Sequence, residues 1–234
     1  MLRPCALRVV RRIIPGMGMP DRAPEAQMTD PARLGVVQAR PMTYEEFLAW
    51  EPEGGLTEWI DGEGVQYMPA SNVHQRVVNL LITLLNLFLS AGRLGKVFSG
   101  PYTLRAAAGG NAREPDIFVA LADNPGEETH KQFIGPADIV IEVISDDSVY
   151  RDRVTKFDEY EAAGVREYWL IDPRPGRQRA DFYVRDAQGR YYAVPLGAEG
   201  VFRSTVLPGF WLRADWLWQE SPDITAIYEA IKGR

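Results

Sequence analysis

Cysteine is almost missing from this sequence: Cys5 is the only one in 234 residues. A lone cysteine excludes an intramolecular disulfide framework and any cysteine-rich zinc site, and nothing here calls for an oxidising compartment. The cytoplasm is the expected location. Long hydrophobic runs are missing too. The greasiest stretch, Val77 to Leu89, is interrupted by Asn79, Thr83 and Asn86, whereas a bilayer span needs about 20 apolar residues. No membrane partner is expected. Nor is there an excess of positive charge, with 26 basic against 32 acidic residues and a net charge of −6. Bulk attraction to nucleic acid is therefore absent, and a protein of this charge that handles nucleic acid needs a local basic patch or a metal.

What remains is ordinary globular material, 46% hydrophobic and 25% charged. At roughly 100–200 residues per domain the length suits one sizeable domain or one with an extension. Residues 1–40 read as a leader or a mis-assigned start. Arg3, Arg8, Arg11 and Arg12 precede a Pro/Gly/Met-rich stretch, and Met28 looks like a natural beginning. Without residues 1–27 the chain carries 21 basic and 30 acidic residues, a net of −9. Residues 41–220 form the expected domain, and 221–234 a tail or short helix.

Thr43 with Glu46 three residues on predicts a capped helix over Pro41–Trp50, and Asp61-Gly62 predicts a turn between two short extended runs. Residues 74–91 predict a helix. Gln75, Asn79, Thr83, Asn86 and Ser90 make a narrow polar stripe, and the remaining girth is apolar. Gly92 and Gly95 are its expected stops. So much apolar surface predicts self-association, with a homodimer formed through this helix by Leu81, Leu84, Leu85 and Phe88. Lys96–Arg105, Pro115–Leu121, Asp138–Ser145 and Val165–Asp172 read as strands, Asp147–Ala163 as a helix with Val154, Phe157 and Tyr160 on its apolar face, and Asp181–Val194 as a hairpin.

Three acids stand where acids are rare. Asp116 opens the apolar run Ile-Phe-Val, Glu142 sits inside Ile-Val-Ile-Glu-Val-Ile, and Glu58 flanks Trp59. A buried carboxylate is costly unless it is paired or metal-bound. Two on neighbouring strands repel each other, and a divalent cation relieves that repulsion. Oxygen-only ligands select Mg²⁺ or Mn²⁺. Such an ion polarises a phosphodiester and activates a water, and a nearby lysine would orient that water.

Six motifs in order resemble the Uma-two family of restriction endonucleases, within the PD-(D/E)XK nuclease superfamily. They are Glu58-Trp-Ile-Asp-Gly62, Ser71-Asn-Val-His74, Pro115-Asp116, Ile141-Glu-Val-Ile-Ser145, Lys156-Phe-Asp-Glu-Tyr160 and Gly164-Val-Arg-Glu-Tyr-Trp169. The resemblance covers about residues 41–218. It implies an α/β (α+β) fold: a restriction-endonuclease-like core with a mixed central β-sheet flanked by helices, here with an added C-terminal β-hairpin. It also implies metal ligands at Asp116 and Glu142, an auxiliary carboxylate at Glu58, and a family histidine at His74. The superfamily lysine normally lies two residues after the strand acid, where this chain has Ile144. The resemblance points to Lys156 instead. Other places stay open for these residues: Glu58 on the surface, Glu142 paired to an arginine, and Lys156 as one rung of an exposed ladder between Asp152 and Glu159. The resulting expectation is a Mg²⁺-dependent endonuclease (Mn²⁺ substituting) acting on nucleic acid, DNA first. The alternative is a catalytically silent nuclease-fold binding or assembly module.

Overall fold

The structure is a computed structural model that describes residues 30–233. Most of the predicted leader, residues 1–29, lies outside the described residues. The chain runs through β1 (Val36–Pro41), α1 (Tyr44–Ala49), β2 (Thr57–Ile60), β3 (Glu63–Tyr67) and a long α2 (Asn72–Gly92). Then come β4 (Gly95–Ser99), β5 (Thr103–Arg105), β6 (Ile117–Leu121), β7 (Glu127–Glu128), β8 (Gln132–Ile134) and β9 (Ile139–Val143). A π-helical turn over Arg151–Thr155 leads into α3 (Lys156–Ala163). β10 (Glu167–Asp172), β11 (Arg179–Arg185), β12 (Tyr191–Val194), β13 (Val201–Arg203), β14 (Trp211–Arg213) and α4 (Ile224–Lys232) complete it.

Local sequence explains most of the boundaries. Thr43 and Glu46 form a reciprocal capping box at the start of α1. Asp61 and Gly62 both take positive φ, 49° and 86°, which gives the tight turn that joins β2 to β3. Ser71 caps α2 by accepting the His74 N–H. The end of α2 differs from expectation. Gly92 stays helical and Arg93 takes the left-handed cap position, with φ 52°. Gly95 serves β4 instead, where a Cβ would lie 2.3 Å from the Ala120 carbonyl oxygen. The predicted strand Lys96–Arg105 is two strands in two different sheets. Pro101, between them, has no N–H to donate to a ladder.

The central sheet has six strands in the order β12-β11-β10-β9-β6-β4. β9 and β10 are parallel and every other neighbouring pair is antiparallel, so the sheet is mixed as expected. The expected hairpin is β11–β12, which adds two strands at one edge. Strand alternation sorts side chains to two faces. Ile117, Val119, Ile141 and Trp169 join α2 in one core, whereas Phe118, Val140, Tyr168 and Leu170 join Tyr160 of α3 in another.

By length and composition α2 could cross a membrane, but the fold accounts for its apolarity. Leu81, Leu84 and Leu85 are fully buried within the chain, and Phe88 meets the Phe210 ring edge-on. Each such leucine stabilises the fold by about 1.5–3 kcal/mol. The segment from β13 to Trp218 and Ile227 and Ile231 of α4 supply the cover. Of the four residues expected to form a homodimer, Leu81, Leu84 and Leu85 are thus covered inside one chain, because the C-terminal segment covers the helix flank that the sheet does not.

A second, antiparallel sheet, β1-β3-β2, brings β2 against the segment before β6. Trp59 and Ala112 exchange backbone hydrogen bonds there. Ordered structure therefore already includes residues 36–40 of the predicted leader, held as a strand on β3.

Candidate active site

The ladder between β6 and β9 pairs Ile117 with Ile141 and Val119 with Ile139. One step further along the same antiparallel register puts Asp116 opposite Glu142, on the face covered by α3. Like charges placed directly across a strand pair destabilise it, so both carboxylates need partners. Asp116 Oδ2 accepts the Val143 N–H at 2.7 Å and lies 3.1 Å from His74 Nε2 in the first turn of α2. Burial works to lower the His74 pKa, but the hydrogen bond and charge of Asp116 outweigh it and hold the ring above its usual value. Glu142 Oε1 accepts from Lys156 Nζ at 2.8 Å and from the Tyr160 hydroxyl at 3.2 Å.

Lys156 is the hub. Its ammonium also lies 3.1 Å from Glu58 Oε1 and 3.6 Å from Asp152 Oδ1. Glu58 Oε2 is held by Arg113 at 2.7 Å, and the same guanidinium clasps Glu159. Lys156 is only 3% exposed, Arg113 2% and Glu58 2%. This corrects the exposed ladder: Lys156 is buried against three carboxylates, and Glu159 belongs to Arg113. Glu58 is not a surface residue. Both of its oxygens are engaged by cations, Oε1 by Lys156 and Oε2 by Arg113. Glu142 does have a basic partner, but it is a lysine.

The charges do not balance. Burial works to raise the Glu58 pKa, but Lys156, Arg113 and Arg151 outweigh it and hold it at about 2. Glu142 is pushed up to about 8, chiefly by burial, with Asp152 and Asp116 adding repulsion against the pull of Lys156. Burial also raises Asp152. Lys156 itself stays firmly charged; burial disfavours its ammonium, but the surrounding carboxylates prevail. One ammonium is thus shared by three acids, with Glu142 nearest to it, whereas Glu58 also has Arg113. Asp152 Oδ1 has no hydrogen-bond partner although it is buried.

These groups line a cavity of about 50 Å³. Among the described residues no three His, Cys, Asp or Glu side chains form a ready-made cation cage. Mg²⁺ does not require one, since it is commonly held by one or two carboxylates with water filling the remaining positions. Asp116 and Glu142, facing each other with a surplus of negative charge around them, fit that donor set.

The model of the Uma2 family, described as "Putative restriction endonuclease", matches residues 44–215. The chain belongs to the Uma2 family. A crystal structure of a "putative nuclease belonging to DUF820" from Anabaena variabilis aligns with a TM-score of 0.60 and 19% identity, covering 76% of this chain and 98% of that one. At that identity the likeness speaks for the fold, and the expected restriction-endonuclease-like architecture stands. No curated protein sequence matches the chain.

How this Uma2 chain brings its lysine to the site was only partly visible in the sequence. The predicted helix 147–163 opens with the π-helical turn, in which the Lys156 N–H bonds the Arg151 carbonyl five residues back. Such turns advance the phase of a helix and recur at functional sites. Val154, expected on the apolar face, is 40% exposed; Arg151, Asp152, Lys156 and Glu161 are buried instead. Arg113, Arg151, Asp152 and Tyr160 are site residues that sequence reasoning missed. Arg113 had one signal: it belongs to a charged run, Arg-Glu-Pro-Asp, placed directly before an apolar strand. The aromatic residues Tyr168, Trp169 and Trp211 belong to the core.

Proposed function

We propose that this chain is a divalent-metal-dependent endonuclease that hydrolyses DNA phosphodiesters in the cytoplasm. The observation that carries this reading is the cross-strand pair Asp116–Glu142 with Lys156 hydrogen-bonded to its buried member. Asp116 and Glu142 would hold Mg²⁺, with Mn²⁺ able to substitute. Bound there, the ion would polarise the phosphodiester and lower the pKa of a water. The chain's own residues do the rest. His74 and the Val143 amide fix Asp116 by two hydrogen bonds on one oxygen. Arg113 fixes Glu58, and Glu58 with Glu142 fixes the Lys156 ammonium. As an ammonium donating to two carboxylates, Lys156 offers positive charge and N–H donors to the attacking water and to the charge that builds on phosphate oxygens.

The test is cleavage of plasmid DNA with Mg²⁺ or Mn²⁺, wild type beside Asp116→Asn, together with calorimetric Mn²⁺ titration of Asp116→Asn and Glu142→Gln. The reading expects metal-dependent cleavage by wild type and loss of both cleavage and Mn²⁺ binding in the variants. Wild-type Mn²⁺ affinity in both variants overturns the metal site. Metal binding without cleavage of any nucleic acid leaves a nuclease-fold binding module in its place.

A further inference from the structure

Arg151 is the cation of this site that the scheme above leaves unused. It sits in the π-helical turn, 7% exposed, and lines the same cavity as Glu58, Asp116, Glu142 and Lys156. Two contacts hold it. Its guanidinium carbon lies 3.9 Å from the centre of the Tyr67 ring, and one terminal nitrogen donates to the Leu34 carbonyl at 3.2 Å. A guanidinium has five N–H donors, and among the described residues no carboxylate oxygen comes within 4.0 Å of this one. The contrast within the molecule is plain. Arg113, equally buried, bonds Glu58 and Glu159, and Arg174 clasps Asp172 with two nitrogens. Among the described residues Arg151 is the buried arginine with no carboxylate oxygen in contact, and Asp152, Glu58 and Asp147 act on its charge only from beyond 4.0 Å.

We infer that Arg151 is a phosphate receptor, taking a non-bridging oxygen of the DNA backbone at or beside the scissile bond. The inference rests on the nuclease reading and names one contact its substrate makes. A planar fork of donors matches phosphate geometry in two-point fashion, which an ammonium cannot do. A cavity of about 50 Å³ has room for about four waters, hence for the oxygens of one phosphate group. The cavity is otherwise rich in acid, so a phosphate entering it needs this cation as well as the metal. The Tyr67 ring and the Leu34 carbonyl keep the guanidinium plane in place before substrate arrives, which lowers the ordering cost of binding.

The test is the affinity of a fluorescently labelled DNA duplex measured by anisotropy across a salt series, with Ca²⁺ in place of Mg²⁺ to hold cleavage off. Arg151→Met should weaken binding about 10- to 100-fold, the worth of a charged hydrogen-bonded contact, and flatten the slope of log K against log salt by about 1. Arg151→Lys should restore the slope and only part of the affinity, because it keeps the charge and loses the fork. Mn²⁺ titration of each variant reports whether the site is still assembled, and if Arg151→Met does not fold, Arg151→Gln gives the same reading. A purely structural Arg151 predicts unchanged slope and affinity in every variant that still binds Mn²⁺, and that result overturns the proposal. If wild type cleaves while Arg151→Met binds DNA as wild type does, the receptor is wrong and the nuclease reading stands. If wild type binds neither Mn²⁺ nor duplex, both fall.

Discussion

Two helices flank the central sheet and bury opposite kinds of side chain. α2 lays Leu81, Leu84, Leu85 and Leu89 into the sheet, none more than 1% exposed. The turn and helix from Arg151 to Ala163 bury Arg151, Asp152, Lys156 and Glu161 at comparable depth. The first contact is non-directional and is worth what its area is worth. The second holds together only because each charge has a counter-charge, and it misses that condition by a carboxylate or two. The apolar face of the molecule is therefore where it stores stability, and the charged face is where buried acids and bases offset one another only in part.

The largest effect should come from removing the hub. Lys156→Met leaves Glu58, Glu142 and Asp152 without their shared ammonium. Breaking a buried pair from one side costs about 3–5 kcal/mol, read as a lower urea midpoint. The folded fraction should also cleave DNA about 10²–10⁴-fold more slowly. Leu84→Ala on the other helix should cost a similar amount, about 2.7–5 kcal/mol. There, however, turnover per folded molecule should match wild type in a single-turnover assay. If Leu84→Ala lowers the rate as much as the stability, the two helices are not separable in the way drawn here.

Glu114 sharpens the comparison in another way. Glu58 has cations and is held near 2, whereas Glu114, buried beside it and bonded only to Thr57, is raised to about 7, chiefly by burial. A carboxyl whose folded pKa is raised gives stability that is complete below its unfolded pKa and lost as pH climbs through the folded one. Wild type should therefore lose up to about 3 kcal/mol at this site between pH 4.5 and about 7. Glu114→Gln should flatten that part of the stability–pH curve. The smallest effect belongs to Val154, on the outer side of the π-helical turn. Val154→Ser should change stability by no more than about 0.5 kcal/mol, as an exposed position does. A larger loss in a denaturation curve would mean that the turn buries a different face.

The same contrast sets what the sequence could reveal. α2 was legible because apolar residues at helical spacing need no knowledge of what covers them. Asp116 and Glu142 were legible because an acid inside an apolar strand is conspicuous wherever the strand ends up. Arg113 was not, since its partners Glu58 and Glu159 lie 55 and 46 residues away. Asp152 was misread for a local reason. Four residues before a lysine on an α-helix it makes an ordinary surface pair, and only the π-helical turn carries both inward. The cover that α2 finds within its own chain was invisible for a similar reason, because it lies at the far end of the chain.

The π-helical turn also makes the spacing between residues 151 and 156 a ruler with one mark. In a plain α-helix a lost or gained residue rotates everything after it by about 100°, and a helix that buries leucines can often slide to another apolar register. Here the residues at the two ends of the turn must face one small cavity together, Arg151 and Asp152 at its start and Lys156 just after it. A single-residue insertion between them would overfill a turn that already holds one residue more than an α-helical turn, and would carry the lysine off the carboxylates while leaving composition, charge and helix length nearly untouched. Tolerance to insertion should therefore fall sharply across these five residues, whereas a single deletion, which converts the turn to α-helix, should be borne better, an asymmetry that substitution scanning would not show.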